Sequence, residues 1–556
     1  MTSPSIDHRV NDEVPFDGAA AREIGFVIPE RYNASEILFQ NVTKGRGAGL
    51  AVVGPSGQRT YAELCSDAGR WGNAFLSLGL KRGDRVLLCL DDTPAFPAAF
   101  FGAVRAGLVP LLTSLLSPPD LLRFYLTDSQ ATLAVVEAAL SDKFSNAAFC
   151  DTPLNTLIVV NGHAKSGIPI KVIPADPDMA ALSDRLVAAD THRDEMAFWM
   201  YSSGTTGRPK GVVHLQHDMP YTNHAYARSV LRFTSADICF SVPKMFFAYG
   251  FGNSITFPFS AGAVALLLPG QPKPDGIFAA IAKYRPTIFF GLPTLYNALT
   301  KSPDAAQADF SSIRLALSAA EALSPELFNA WKILTGLEIV EGLGSTEVLN
   351  NYLSNLPERK KSGAAGLRVP GYEIELKDRD GRTIIGSCDE GIMWVRGDSN
   401  APLYWNRPDK TAETIHAGGW ICTGDRFSRD AEGFYFFRGR ADDLIKISGQ
   451  WVYPMEVELC LSDHALVREC AVVAVQLPDR RMTLKAFVVM KDKVEDAELM
   501  TRSLQTYVKR KLLPHKYPRS IHFMDVLPKT ATGKIDRQAL LQEGRDETQG
   551  AAPTGG

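Results

Sequence analysis

Between Arg85 and Val136 the chain alternates short, wholly apolar runs with stretches of helical spacing, and this alternation limits its fold more than any other feature. Arg85-Val-Leu-Leu-Cys-Leu reads as a buried strand, Phe96 to Ala106 as a helix and Leu108-Val-Pro-Leu-Leu as a second apolar run. Leu121 to Leu126 suggests another helix before the strand Thr132-Leu-Ala-Val-Val. Runs without polar alternation suit strands covered on both faces, the habit of parallel sheets flanked by helices. The expected fold class is therefore α/β with largely parallel sheets. The same rhythm recurs from Asp237 to Leu343. At 556 residues the chain exceeds one core, so at least two domains are expected.

After about Pro370 the texture changes. Glu373-Ile-Glu-Leu, Gly391-Ile-Met-Trp-Val and Gly433-Phe-Tyr-Phe-Phe read as short strands between turn residues, hence a β-rich subdomain. The charged segment Arg438-Gly-Arg-Ala-Asp-Asp then introduces a compact α+β unit. In it, Val457 to Leu461 lies in a helix, Cys470-Ala-Val-Val-Ala-Val and Lys485-Ala-Phe-Val-Val-Met form strands, and Leu504 to Leu512 forms a basic helix. The expected division is a poorly ordered leader (1–28), a large N-terminal domain (29–440), a small C-terminal domain (441–545) and a disordered tail (546–556).

Net charge is -3, so nothing points to nucleic acid as a partner. The eight cysteines are scattered without a CxxC pair, which supports neither a zinc site nor a disulfide framework. The N-terminus lacks the apolar run of a signal peptide. The most apolar region, Phe96 to Leu116, is broken by Arg105, Pro110, Ser114 and Pro118, so no membrane span is expected. A cytoplasmic location is the corresponding expectation.

The strongest local signal is Tyr201-Ser-Ser-Gly-Thr-Thr-Gly-Arg-Pro-Lys-Gly211. Gly204 and Gly207 allow sharp turns that aim N–H groups at an anion. The hydroxyls of Ser202, Ser203, Thr205 and Thr206 can donate to phosphate oxygens, and Lys210 adds a point charge. The spacing is not that of a Walker A loop, which keeps the nucleotide but excludes that class.

This string resembles the phosphate-binding loop of the adenylate-forming superfamily: acyl- and aryl-CoA ligases, peptide-synthetase adenylation domains and luciferases. The other motifs of that superfamily follow in order, over roughly residues 30 to 545. The resemblance implies ATP, Mg2+ and coenzyme A as reactants and cofactors. In Gly342-Leu-Gly-Ser-Thr-Glu347, with Glu341 beside it, it assigns Thr346 to the α-phosphate and Glu347 to Mg2+. Ser318-Ala-Ala-Glu-Ala-Leu323 resembles the segment flanking adenine, which places Ala320, Glu321 and Ala322 at the base. Relatives commonly have Gly where Ala320 stands. Asp425, in Trp420-Ile-Cys-Thr-Gly-Asp425, and Arg440 match the ribose contacts. Asp442 matches the hinge about which the small domain takes two orientations, one for each half-reaction. Ser448 and Gly449 match positions beside the CoA thiol channel. Lys534, in Leu527-Pro-Lys-Thr-Ala-Thr-Gly-Lys534, matches the adenylation lysine, which would bridge two anionic reactants. A lysine acetyltransferase acting on Lys534 and a homodimeric state complete the expected partners. The basic residues Lys509, Arg510, Lys511, Lys516 and Arg519 read equally well as a CoA-phosphate surface or as an ordinary solvated face.

The aromatic run Lys244-Met-Phe-Phe-Ala-Tyr-Gly-Phe-Gly-Asn253 suits either a flat apolar pocket or a core stripe. Together with Leu353-Ser-Asn-Leu-Pro357 and Tyr32-Asn-Ala-Ser-Glu, it resembles the benzoate-type CoA ligases. That likeness assigns Ala248, Tyr249, Phe257, Ala319 and Gly344 to the acid pocket. Where those ligases usually carry His then Ile, this chain has Asn350 and Asn351. Buried amides want polar partners, so the expected acid is aromatic or heteroaromatic with a polar atom: a hydroxybenzoate, an aminobenzoate or furoate. The alternatives are a stand-alone adenylation enzyme loading a carrier-protein thiol and a ligase for a small alicyclic or aliphatic acid. A luciferase-like oxygenase and a catalytically inert nucleotide sensor match the motifs less well.

Overall fold

A computed structural model describes residues 23–550, apart from 26, 146, 203–208, 322, 379, 387–388, 442–444, 448–449, 453, 478–481, 513–515 and 530–534. The architecture is mixed α/β, and the chain divides into two compact units. The larger comprises Met1–Glu375, Trp394–Thr423 and Arg429–Phe436; the smaller comprises Leu376–Met393, Gly424–Ser428 and Phe437–Gly556. The smaller unit thus takes in three stretches that the sequence reading gave to the N-terminal domain: 376–393, 424–428 and 437–440.

Two sheets organise the larger unit. The first has seven strands, in the order Lys171–Pro174, Thr156–Val160, Leu133–Glu137, Arg85–Cys89, Val109–Leu112, Met196–Ser202 and Lys210–Leu215. Its pairings are parallel up to the last, where Lys210–Leu215 runs antiparallel to Met196–Ser202. That reversal brings Ser202 and Lys210, on either side of residues 203–208, opposite each other. The second sheet has nine strands, in the order Leu367–Arg368, Asn351–Ser354, Ile339–Gly344, Leu315–Ser318, Ile288–Gly291, Ile238–Ser241, Val264–Leu266, Leu50–Val53 and Arg59–Thr60. Its middle is parallel and its two ends are antiparallel. The parallel strands are mostly apolar and, apart from Lys171–Pro174 at the edge, mostly buried, as strands covered on both faces are. Strands Glu373–Lys377, Glu390–Arg396, Trp420–Arg429, Tyr435–Arg440 and Ile415–His416 form a five-stranded sheet in the region after Pro370 that was expected to be β-rich.

Helix Tyr61–Ser77 starts at a capping box. The Thr60 hydroxyl accepts from Glu63 N, and the Glu63 carboxylate accepts from Thr60 N. It lies against the almost wholly buried helix Ala95–Arg105. The two backbones meet at glycines: a β-carbon on Gly102 would fall 2.5 Å from the Ala68 carbonyl oxygen and 2.9 Å from Gly72 N.

The smaller unit contains a three-stranded sheet. Val467–Gln476 pairs antiparallel with Met482–Met490, which pairs parallel with Ser520–Phe523. Helices Pro454–Ser462, Ala497–Lys511 and Arg537–Gly550 belong to the same unit. Among the described residues no helix is long and apolar enough to cross a membrane.

The ends of the chain depart from expectation. Glu23 accepts hydrogen bonds from both Arg368 guanidinium nitrogens at 2.8 Å and from Gly371 N at 3.0 Å. Ile28 is buried. The leader expected to be loose through residue 28 is therefore engaged from Glu23. The expected disordered tail is helical up to Gly550. Its helix is anchored by buried Leu540, which clusters with Val475 and Phe487.

Because Gly102 meets backbone atoms that cannot rotate away, Gly102→Val should destabilise the fold by about 2 kcal/mol or more, as overpacking does. Urea unfolding of the purified variant measures it.

Candidate active site

Strand Ile339–Gly344 ends where the chain must turn back to pair as Asn351–Ser354. At Gly344 a β-carbon would fall 2.4 Å from the Asn350 carbonyl oxygen, so only glycine fits. The reversal is completed by a single 3-10 turn, Thr346–Val348, and by Leu349 at φ 71°. This turn carries the two residues expected at the phosphates.

Glu347 is held at both ends. Its carboxylate Oε1 accepts from the Tyr404 hydroxyl at 2.8 Å, and its carbonyl accepts from Ala401 N at 2.7 Å. The Tyr404 ring in turn lies under Lys210 Nζ, 4.1 Å from its centroid. Tyr404 thus links the phosphate-loop lysine to the expected metal carboxylate. The sequence reading missed it, although the run of polar and turn residues before an isolated Tyr-Trp pair was the available signal. The Ser202 and Ser345 hydroxyls are buried and have no hydrogen-bond partner among the described residues. Such orphaned donors fit a site whose anionic ligand supplies the acceptors. Ser203, Gly204, Thr205, Thr206 and Gly207 lie outside the described residues.

The segment expected at adenine follows strand Leu315–Ser318. Ala319 is buried, and Ala320 has φ 72°, a left-handed conformation that glycine adopts without cost. This explains why glycine suits position 320. Glu341 lies on the neighbouring strand, and its Oε1 accepts from Leu323 N at 3.3 Å. Burial pushes the Glu341 carboxyl up to about 8. Glu321 is partly buried beside Ala320, and Ala322 lies outside the described residues.

The aromatic run folds as a helical turn Ala248–Phe251, a π-helical turn Gly252–Thr256 and a second helical turn Phe257–Ala261. The three turns sort its side chains. Phe251 faces the core, against Phe100 and Phe198. Tyr249 meets Phe290 edge-on at 5.9 Å, and Phe257 meets Tyr226 at 5.9 Å and Phe233 at 6.1 Å. Tyr226, Phe233 and Phe290 are distant in sequence and were not foreseen. A β-carbon on Gly252 would fall 2.3 Å from Asn350 Nδ2 and 3.1 Å from the Phe257 ring, so glycine there brings the aromatic run against the Asn350 turn. The two asparagines part company. Asn351 Nδ2 donates to the Tyr226 hydroxyl at 3.0 Å. Asn350 Oδ1 accepts from Asn351 N, while its buried Nδ2 has no partner among the described residues.

In the smaller unit, Arg440 Nη1 donates to Asp425 Oδ1 at 3.2 Å. Gly424, at φ 71°, lets the Arg440 guanidinium approach. Asp442, Ser448, Gly449 and Lys534 lie outside the described residues. On either side of residues 530–534, Lys529 bridges Ile535 and Asp536 N donates to the Pro528 carbonyl at 2.8 Å. Of the basic residues weighed for CoA, Lys516 is paired with Glu456 at 2.7 Å, while Lys509 and Arg519 both lie over the Tyr517 ring.

Comparison with known proteins adds four findings. Residues 39–405 match the AMP-binding enzyme family, and residues 456–534 match the AMP-binding enzyme C-terminal domain. The chain is 40% identical to the benzoate–CoA ligase of Thauera aromatica over 515 residues, covering 92% of this chain and 96% of that one. It is 36% identical to the 4-hydroxybenzoate–CoA/benzoate–CoA ligase of Rhodopseudomonas palustris, over 92% and 94% of the two chains. Among solved structures it resembles the anthranilate CoA ligase AuaEII in complex with anthranoyl-AMP, with a TM-score of 0.88, 33% identity and coverage of 96% and 99%.

Replacing Ala320 by Gly removes a left-handed alanine and should raise unfolding stability by about 1 kcal/mol. The shift in urea midpoint at constant slope measures it.

Proposed function

The chain belongs to the AMP-binding enzyme family, and on that premise we propose that it is an AMP-forming acid–CoA ligase. It activates an aromatic or heteroaromatic carboxylate as its adenylate and passes the acyl group to coenzyme A. The observation that carries this reading is the short turn from Thr346 to Asn351. Its first residues reach the Tyr404–Lys210 pair, and its last abut the aromatic wall through Gly252 and Phe257. A nucleotide phosphate and a flat acid placed along that turn would be neighbours.

In the first half-reaction a carboxylate oxygen of the acid bonds to the α-phosphorus. The bond from that phosphorus to the bridging oxygen breaks, and pyrophosphate leaves. No general base is needed, because the carboxylate is ionised at neutral pH. Thr346 and the serine and threonine hydroxyls of the 202–206 stretch donate to the phosphates. Lys534 bridges the two anions and stabilises the charge that grows between them. Asp425 and Arg440 take the ribose, and Ala320, Glu321, Ala322, Glu341 and Gly342 flank the base. In the second half-reaction the CoA sulfur attacks the acyl carbonyl and AMP leaves, with Ser448 and Gly449 beside the thiol and Asp442 as the hinge.

Mg2+ fits Glu347. Among the described residues no group of three or more His, Cys, Asp or Glu is placed to hold a metal. A single carboxylate suits an ion carried largely by the substrate's own phosphates. That ion would neutralise phosphate charge as the two anions approach. For the acid, the open donor at Asn350 and the amide–hydroxyl pair of Asn351 and Tyr226 favour a ring with a polar atom over plain benzoate.

Two measurements test this reading. Pyrophosphate release with ATP and Mg2+ should be sustained only when an aromatic or heteroaromatic acid and CoA are both present. Hydroxybenzoates, aminobenzoates or furoate should rank above benzoate; turnover with aliphatic acids alone would refute the pocket assignment. Lys534→Ala should slow adenylate formation by about 100-fold or more while sparing thioester formation from supplied acyl-adenylate. Equal loss of both steps would make the lysine structural. Acetylation of Lys534 by a lysine acetyltransferase would remove the same charge.

A further inference from the structure

His214 belongs to none of the motifs above, yet its imidazole is fully buried between two fixed groups. Nδ1 stands 2.8 Å from Asp218 Oδ2, and Nε2 stands 2.9 Å from the Thr346 carbonyl oxygen. A carbonyl oxygen only accepts, so Nε2 carries the hydrogen and donates it. Asp218 is equally buried, and its Oδ2 also accepts from Leu215 N at 3.1 Å. The Phe198 ring stacks on the imidazole, 5.0 Å between centroids and 23° between planes. Clamped at both nitrogens and on one face, the ring has one available orientation.

We propose that His214 and Asp218 are a positioning dyad for adenylation: they hold the Thr346–Glu347 turn where the α-phosphate is attacked. The proposal rests on the reading of the chain as an adenylate-forming ligase. The turn needs such a hold. It is one 3-10 turn long, follows the glycine-containing strand end Gly342-Leu-Gly344 and leads into Leu349 with positive φ. Little in its own sequence fixes it, so its main-chain carbonyls are the available handles. The Thr346 carbonyl is shared between His214 and Leu349 N, the latter at 3.0 Å. The dyad thus acts on the turn itself, at the main-chain carbonyl of Thr346 and one residue from Glu347. Asp218 fixes which imidazole nitrogen faces the turn. His214 exchanges no proton with the reactants and needs none. A misplacement of roughly 1 Å in such a turn is enough to cost about 100-fold in rate.

The two amide side chains that copy one imidazole nitrogen each make the test. Gln at 214 can place an N–H where Nε2 was and reach the Thr346 carbonyl. Asn can satisfy only Asp218. Phe keeps the stack on Phe198 and loses both bonds. For each variant, acid-dependent ATP–pyrophosphate exchange gives kcat and KM, calorimetry gives the affinity for a non-hydrolysable acyl-sulfamoyl adenosine, and thermal melting reports the fold. We expect His214→Asn and His214→Phe to lose about 30-fold or more in exchange kcat, with the KM for the acid changed less than about 3-fold. Analogue binding should weaken about 10-fold in the same two variants. His214→Gln should stay within about 5-fold of the unmodified enzyme in both readouts. If Phe does not fold, the contrast between Gln and Asn decides. Equal losses in Gln and Asn, or exchange unchanged in both, would overturn the dyad. Absence of exchange in the unmodified enzyme with every aromatic acid would instead overturn the ligase reading on which it rests.

Discussion

Three consecutive carbonyl oxygens, those of Thr346, Glu347 and Val348, each take a hydrogen from a donor distant in sequence. The donors are the His214 imidazole, Ala401 N and the Ser399 hydroxyl. Each bond is worth only about 1 kcal/mol net, but losing one would strand a buried acceptor. Together they impose a single geometry on a turn too short to hold itself. Everything proposed for the nucleotide depends on that constraint. Lys210 and His214 share the strand Lys210–Leu215. The segment that supplies Ser399, Ala401 and Tyr404 completes the enclosure.

Electrostatics gives the same turn its chemical character. The chain as a whole is slightly acidic, with a net charge of -3, so positive charge for two anionic reactants has to be assembled locally. The structure shows one such assembly: Lys210 over the Tyr404 ring, and the Tyr404 hydroxyl on Glu347. A cation and a carboxylate are thereby linked through one aromatic side chain.

Much of this was legible before folding. The apolar runs at Arg85, Leu108 and Thr132 became strands Arg85–Cys89, Val109–Leu112 and Leu133–Glu137, and the intervening stretches became helices. They were legible because burial on both faces leaves a purely local mark. The motif residues were legible by resemblance, and the positive φ at Ala320 supplies the physical reason for the glycine habit there. Tyr404, His214 and Asp218 were not legible. Tyr404 and His214 act through contacts 57 and 132 residues away in sequence, and no local periodicity marks such pairs; Asp218, four residues from His214, takes its role from that partner. The aromatic run was ambiguous for a different reason. Its two helical turns are separated by a π-helical turn, Gly252–Thr256, which shifts the face on which each ring emerges. Tyr249 and Phe251, two positions apart in the first helical turn, already face different ways, Phe251 to the core and Tyr249 toward Phe290, while Phe257, beyond the π-helical turn, meets Tyr226.

Leu349 shows how the core sustains the strain that the turn requires. A leucine at φ 71° is costly, of order 1–3 kcal/mol. Its side chain is almost fully buried in the same cluster as Met245, Phe251 and Ile255. Burial of that size is worth roughly 2 kcal/mol, comparable to the strain. The core that orders the aromatic turns thus also holds the backbone reversal open, with Thr346 and Glu347 on one side of it and Asn350 and Asn351 on the other. The two halves of the proposed site, one for the nucleotide and one for the acid, are therefore not independent modules. Repacking the core beneath Leu349 would move both at once, whereas changes at Tyr226 or Phe290 would reach the acid wall and leave the carbonyl anchors in place.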